Sequence, residues 1–306
     1  HIWEEAGNPY LLDDLIGDLD TGHRIEATVF VQAHYGYRTS GPEELRCVGE
    51  TEKATALAEE AQRRNYAPAI CAGIVGFADL LLGSGVARVL EAHVEAGKGR
   101  FRGVRHSVSR DTNFPDGIVL RPAQAGLLGD ATYREGLAAI ARGGLSYDCM
   151  CYHQQIPELT AMARAVPDLA IVLDHYGTIL GVGPYESNRA ENFAAWRRDL
   201  AELATCPNVS IKLGGMGMII CGPTWHEQPT PPDSATLAEV WRPYVETCIE
   251  LFGADRCMFE SNFPVDKAMY SYPVLWNAFK RLAAGASAEE KSALFHDTAS
   301  RFYRLG

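Results

Sequence analysis

The chain has 306 residues, a formal net charge of −11, 47% hydrophobic and 22% charged residues. That is an ordinary globular balance with ample material for a core, while the acidity argues against nucleic acid as partner, because phosphate binding needs a basic stripe. A small anionic substrate stays compatible, since a few local Arg and Lys side chains outweigh distant surface charge at short range.

Short β-branched, largely apolar runs recur in order at 27–33, 69–76, 101–107, 145–151, 170–177, 209–215 and 257–263. Their near-continuous apolar character predicts strands covered on both faces. Between them the helix-compatible segments 52–65, 85–97, 131–142, 157–166, 191–205 and 237–252 alternate with the strands. Alternation of this kind predicts a parallel sheet with right-handed crossovers. The expected fold is α/β, a (β/α)8 TIM barrel forming a single domain over 1–306, with its first strand truncated at or before His1 and residues missing upstream. An open doubly wound sheet is the runner-up, but no GxGxxG turn follows a first strand. The segments 107–130 and 215–236 are too long for plain connections and are expected to be binding loops or lids.

No apolar run approaches the ~18 residues of a membrane span, and no signal peptide is recognisable. The eight cysteines include no CxxC pair, which suits reduced core thiols in a cytoplasmic protein.

Polar residues collect where the apolar strands end: His34, Tyr35 and Tyr37; Arg105 and His106; Asp148 and His153; Asp174 and His175; Lys212; Glu260 and Asn262. In a closed barrel that end carries catalytic groups. Each residue has a plainer reading as a hydrogen-bonded core group, and Arg105 as a bridge between strands. His23, His93 and His296 are expected at the surface. Strand alternation points Asp174 away from His175, towards a helix it could cap. Lys212 is harder to dismiss, because a lysine inside a barrel is costly unless it meets a carboxylate or an anionic ligand.

At these residues the chain resembles the lactonase-like branch of the amidohydrolase superfamily. His1-Ile2-Trp3 is similar to the end of that branch's HxH opening, Leu173-Asp174-His175-Tyr176-Gly177 to its D-H-x-G element, and Lys212-Leu213-Gly214-Gly215 to its K-L-[SG]-G element. The Gly103-Val104-Arg105-His106 stretch of the run 101–107 is also similar to family members. The resemblance implies that His1, His175 and Glu260 are candidate metal ligands for one divalent ion, zinc or manganese, although some members of the branch work without metal. It departs at Glu260-Ser261-Asn262-Phe263-Pro264, where Asn262 stands in the position of the family's water-activating aspartate. An amide is neither a base nor a good metal ligand. Glu260, two residues earlier on the same strand face, is the expected replacement base, with His175 and His153 as alternatives.

The expected function is hydrolysis of a small carboxylate-bearing lactone or related cyclic acyl compound by activated water. The catalytic candidates are His175, Glu260, Asn262, Arg105, His106 and Lys212. Arg105, His106 and Lys212 would clamp the substrate carboxylate. The substrate-binding candidates are His34, Tyr37, His153, Trp225 and His226. Two rivals are a metal-dependent decarboxylase of a small aromatic acid and a non-catalytic ligand-binding barrel. Nucleic acid and membrane are not expected as partners, and a homo-oligomer is compatible with the fold.

Overall fold

The computed structural model describes residues 1–3, 9–113 and 122–305. Residues 114–121 of the expected binding loop 107–130 lie outside the described residues.

The chain divides into two compact units, His1–His106 with Ala131–Asp148 and Ser300–Gly306, and Ser107–Asp130 with Cys149–Ala299. The first unit carries α1 (Leu12–Leu19), β1 (Ala27–Val31), α2 (Val48–Arg63), β2 (Ala69–Gly76), α3 (Ala87–Gly97), β3 (Phe101–Arg105), α4 (Ala131–Arg142) and all but the last residue of β4 (Ser146–Cys149). β1 pairs with β2, β2 with β3 and β3 with β4, always in parallel. The second unit carries α5 (Ile156–Ala165), β5 (Ala170–Leu173), α6 (Arg189–Ala204), β6 (Val209–Leu213), α7 (Ser234–Phe252), β7 (Cys257–Phe259) and α8 (Tyr272–Leu282). Its strands pair β5 with β6 and β6 with β7, again in parallel.

This strand–helix alternation is that of the (β/α)8 barrel class, as the apolar runs predict. β4, Ile171–Leu173 and β7 are buried throughout, which is why their sequences are continuous apolar runs instead of alternating ones. Residues 1–3 form an antiparallel bridge, Trp3 to Tyr10, and no strand among the described residues. His1 nevertheless lies at the end of β1, its Nδ1 2.6 Å from the Val31 carbonyl.

All eight cysteines are free thiols, and seven of them are buried. Among the described residues no helix is long and apolar enough to cross a membrane. His93 is a correction to the sequence reading: it is fully buried on α3. Its ring stacks on Phe101 at 4.7 Å, Nδ1 lies 2.8 Å from the Thr51 hydroxyl and Nε2 2.8 Å from the Phe77 carbonyl. It shares the buried face of α3 with Val89, Leu90 and Gly97, a 3.6-residue period that marks a core position.

Candidate active site

The register of the second unit sets up its polar cluster. Leu173 is opposite Ile211, and Lys212 is opposite Met258. Asp174 therefore follows directly onto the level of Lys212, and the two meet as an ion pair, Nζ to Oδ1 2.8 Å. Asp174 is completely buried and Lys212 is 3% exposed. The pairing answers the cost of burying either charge alone. It also replaces the expectation that Asp174 caps a helix.

His175 departs from strand alternation because the strand has already ended. His175, Tyr176 and Thr178 have φ of 53°, 56° and 43°, a left-handed run that non-glycine residues adopt only when their surroundings impose it. One support is Trp196, whose Nε1 donates to the Tyr176 carbonyl at 2.7 Å. The turn brings His175 Nδ1 to 2.5 Å from Glu260 Oε1. The other carboxylate oxygen of Glu260 stands 3.9 Å from Lys212 Nζ.

The K-L-G-G element explains how the chain fits around this pair. A Cβ on Gly214 would lie 2.4 Å from Glu260 Cγ, and one on Gly215, whose φ is +84°, would lie 2.5 Å from His175 Nδ1. Both are inside any real contact, so the segment can pass over the pair only with glycine at these two positions.

Asn262 is buried with φ 51° and donates from Nδ2 to Asp266 Oδ1 at 2.9 Å. Asp266, fully buried and not singled out in the sequence, also accepts from the Tyr270 hydroxyl at 2.6 Å and from the Gly217 amide at 3.1 Å. Burial pushes its carboxyl up to about 6, against the pull of Tyr270, His175, Asn262 and Gly217. Tyr270 packs edge-on to Trp241 at 5.4 Å and Trp225 at 6.3 Å. Trp225 is thus anchored in an aromatic cluster. Its neighbour His226 is exposed, 3.8 Å from Glu227.

His153 is buried, and its Nδ1 accepts from the Leu180 amide at 3.3 Å. A backbone N–H can only donate, so Nδ1 carries the lone pair and Nε2 the proton. Burial holds its pKa down at about 4. His153 is therefore a neutral hydrogen-bond donor.

The first unit places its candidates differently. Arg105 donates from Nε to Gln32 Oε1 at 3.1 Å and from Nη2 to the Gln32 carbonyl. Glu50 on α2, fully buried, accepts from the amides of Ala33 and Tyr35, both at 2.8 Å, and burial raises its pKa to about 7. His34 has φ 59° and its Nδ1 is 3.1 Å from the Tyr37 hydroxyl. His34, Tyr37 and His106 form an aromatic group around Phe77, with centroid distances to it of 5.7, 6.5 and 5.0 Å. His106 Nδ1 accepts from the Leu80 amide at 3.2 Å, and burial lowers its pKa, so it too presents Nε2–H. Gln32, Glu50 and Phe77 escaped the sequence reading. Gln32 and Phe77 each follow a strand by one residue, a position that could have flagged them.

Among the described residues no group of three or more His, Cys, Asp or Glu side chains is arranged to hold a metal ion. His175 and Glu260 are bonded to one another, with a lysine ammonium near the carboxylate, which is a poor setting for a cation. His1 belongs to the first unit, with Nδ1 on the Val31 carbonyl.

A family model described as amidohydrolase matches residues 18–305. An uncharacterised protein of Sinorhizobium fredii, y4mH, is 35% identical over 296 residues, covering 97% of this chain and 86% of that protein. An L-fucono-1,5-lactonase of Burkholderia multivorans is 28% identical over 236 residues, 76% of this chain and 72% of the relative. The solved structure of a Burkholderia multivorans amidohydrolase with bound zinc is 25% identical, with a TM-score of 0.72 over 98% of this chain and 90% of that one.

Proposed function

This chain belongs to the amidohydrolase family, and from that premise we propose that it hydrolyses a small lactone with His175 as general base and Glu260 as its orienting partner. The observation that carries the reading is the 2.5 Å approach of His175 Nδ1 to Glu260 Oε1 in a buried setting. An ionised carboxylate only accepts, so it draws the imidazole proton to Nδ1 and leaves the lone pair on Nε2. This revises the expectation that Glu260 itself takes the proton from water.

In the reaction, Nε2 takes a proton from water as the water oxygen attacks the lactone carbonyl carbon. Glu260 stabilises the imidazolium that forms, in the manner of a carboxylate–histidine pair. The ring C–O bond then breaks, and the imidazolium returns its proton to the leaving ring oxygen, giving a hydroxy acid. Lys212, held by Asp174, keeps a positive charge beside the pair that favours the developing oxyanion.

The relative named as an L-fucono-1,5-lactonase supports a sugar-type 1,5-lactone as substrate class. With Arg105 bonded to Gln32 and Lys212 to Asp174, a carboxylate on the substrate is not required by this reading. The test is ring opening across a panel of aldono-1,5-lactones, followed by acid release. Turnover that His175→Ala abolishes is expected. Carbon dioxide release from hydroxybenzoates without lactone opening would overturn the reading in favour of a decarboxylase.

A further inference from the structure

Position 262 is an amide facing a carboxylate. Asp266 has three donors on it: Asn262 Nδ2 at 2.9 Å on Oδ1, and the Tyr270 hydroxyl at 2.6 Å and the Gly217 amide at 3.1 Å on Oδ2. Every one of these is a donor because an ionised carboxylate has nothing to give. The Asn262 side chain can therefore meet Asp266 only through its NH2 end. Its carbonyl oxygen is the end left over, on a residue two positions beyond Glu260.

We propose that Asp266 is a positioning residue that locks the Asn262 amide with its carbonyl oxygen presented to substrate, so that this position reads a hydroxyl donor on the lactone. The proposal rests on the lactone reading above and deepens it: the substrate class becomes a lactone bearing a ring hydroxyl. The same geometry accounts for an amide at 262. An aspartate there would set two carboxylates about 3 Å apart inside the protein, where they cannot both ionise. Asp266 also ties the residues after β6 to those after β7, since its partners Gly217 and Asn262 come from those two segments. A shift in either segment would thus be felt at the amide.

The test is a cycle of native protein, Asn262→Asp, Asp266→Asn and the swapped double variant Asn262→Asp/Asp266→Asn. Thermal stability is read first, because it does not depend on activity. Asn262→Asp is expected to unfold at lower temperature than native, and the swap to recover most of that loss, since carboxylate and amide again face each other. Kinetics are then read on a hydroxylated 1,5-lactone and on its deoxy analogue. Asp266→Asn frees the Asn262 amide to turn, and the preference for the hydroxylated lactone is expected to fall about tenfold or more, while the swap, which presents a carboxylate oxygen, restores it. A merely structural role for Asp266 would slow both substrates alike. Asn262→Asp as stable as native, a swap no more stable than either single variant, or an unchanged preference in Asp266→Asn would each overturn the proposal. Native protein that opens no lactone would sink the function above, and the stability cycle would still decide the pairing.

Discussion

The two units spend their buried polar groups in different ways. In the first, ionisable side chains are bonded chiefly to backbone: Arg105 to the Gln32 carbonyl, Glu50 to the amides of Ala33 and Tyr35, His1 to the Val31 carbonyl, and His106 to the Leu80 amide. In the second the chief partners are other side chains, His175 with Glu260, Lys212 with Asp174 and Asp266 with Asn262, while His153 is held by the Leu180 amide. Backbone partners cannot change their protonation, so the first arrangement fixes the shape of the chain after β1 and β2. Side-chain partners can exchange protons and charge, and the second arrangement is the one equipped for chemistry.

Breaking one half of a mutual pair should therefore cost most. Lys212→Met takes the cation away from buried Asp174, and Asp174→Leu leaves Lys212 with the more distant Glu260 carboxylate at 3.9 Å; each is expected to destabilise by about 3–5 kcal/mol. Replacing both, as Lys212→Met/Asp174→Leu, should return much of that loss. Chemical denaturation of the four proteins measures the coupling. Additive losses would place the two side chains in separate environments.

A backbone-anchored group should instead reveal itself through pH. Glu50 has its pKa raised to about 7 from an ordinary 4.5, so the unfolded chain releases this proton before the folded one does. The contribution of Glu50 to stability thus declines as pH rises from about 4.5 to about 7, by on the order of 3 kcal/mol. Glu50→Gln keeps an oxygen for both amides and removes the charge. Relative to native, it should gain stability across that window and hold the gain above it. A native–variant difference that stays flat from pH 4.5 to 8 would refute this.

His153 has the opposite sign. Its pKa is held down at about 4, so its contribution is whole above about pH 6.5 and is lost as pH falls towards 4, again by roughly 3 kcal/mol if fully expressed. His153→Gln should remove that acid sensitivity. The smallest effect belongs to His226, exposed and 3.8 Å from Glu227. His226→Ala should change stability by no more than about 0.5 kcal/mol, and a larger loss in a melting experiment would show that it is docked.

Much of the architecture was legible because buried parallel strands leave continuous apolar runs; all seven predicted runs contain a strand. α1 and α8 were not among the segments singled out, although Pro273 at the start of α8 is an available start signal. In the site, His175, Lys212 and Glu260 were legible from their strand-end positions, and they do come together. Their pairing was not. Alternation assigned Asp174 and His175 to opposite sides, and it fails because four consecutive left-handed residues, His175 to Thr178, re-aim the chain one residue past β5. Asp266 was invisible for a related reason. It lies past the strand, in a short 3-10 turn (Val265–Ala268) where no periodicity marks a buried carboxylate. His93 was misplaced by residue type alone, against the helical pattern that surrounds it.

The most direct test of the central claim is kcat/KM for lactone ring opening by Glu260→Gln beside native protein, with melting temperature measured on the same samples. Glutamine keeps the size of the side chain but removes the charge proposed to fix the His175 proton and stabilise the imidazolium. A fall of about 10³-fold or more is expected, with the fold intact. A folded Glu260→Gln protein that opens the lactone within a few-fold of the native rate would contradict the claim.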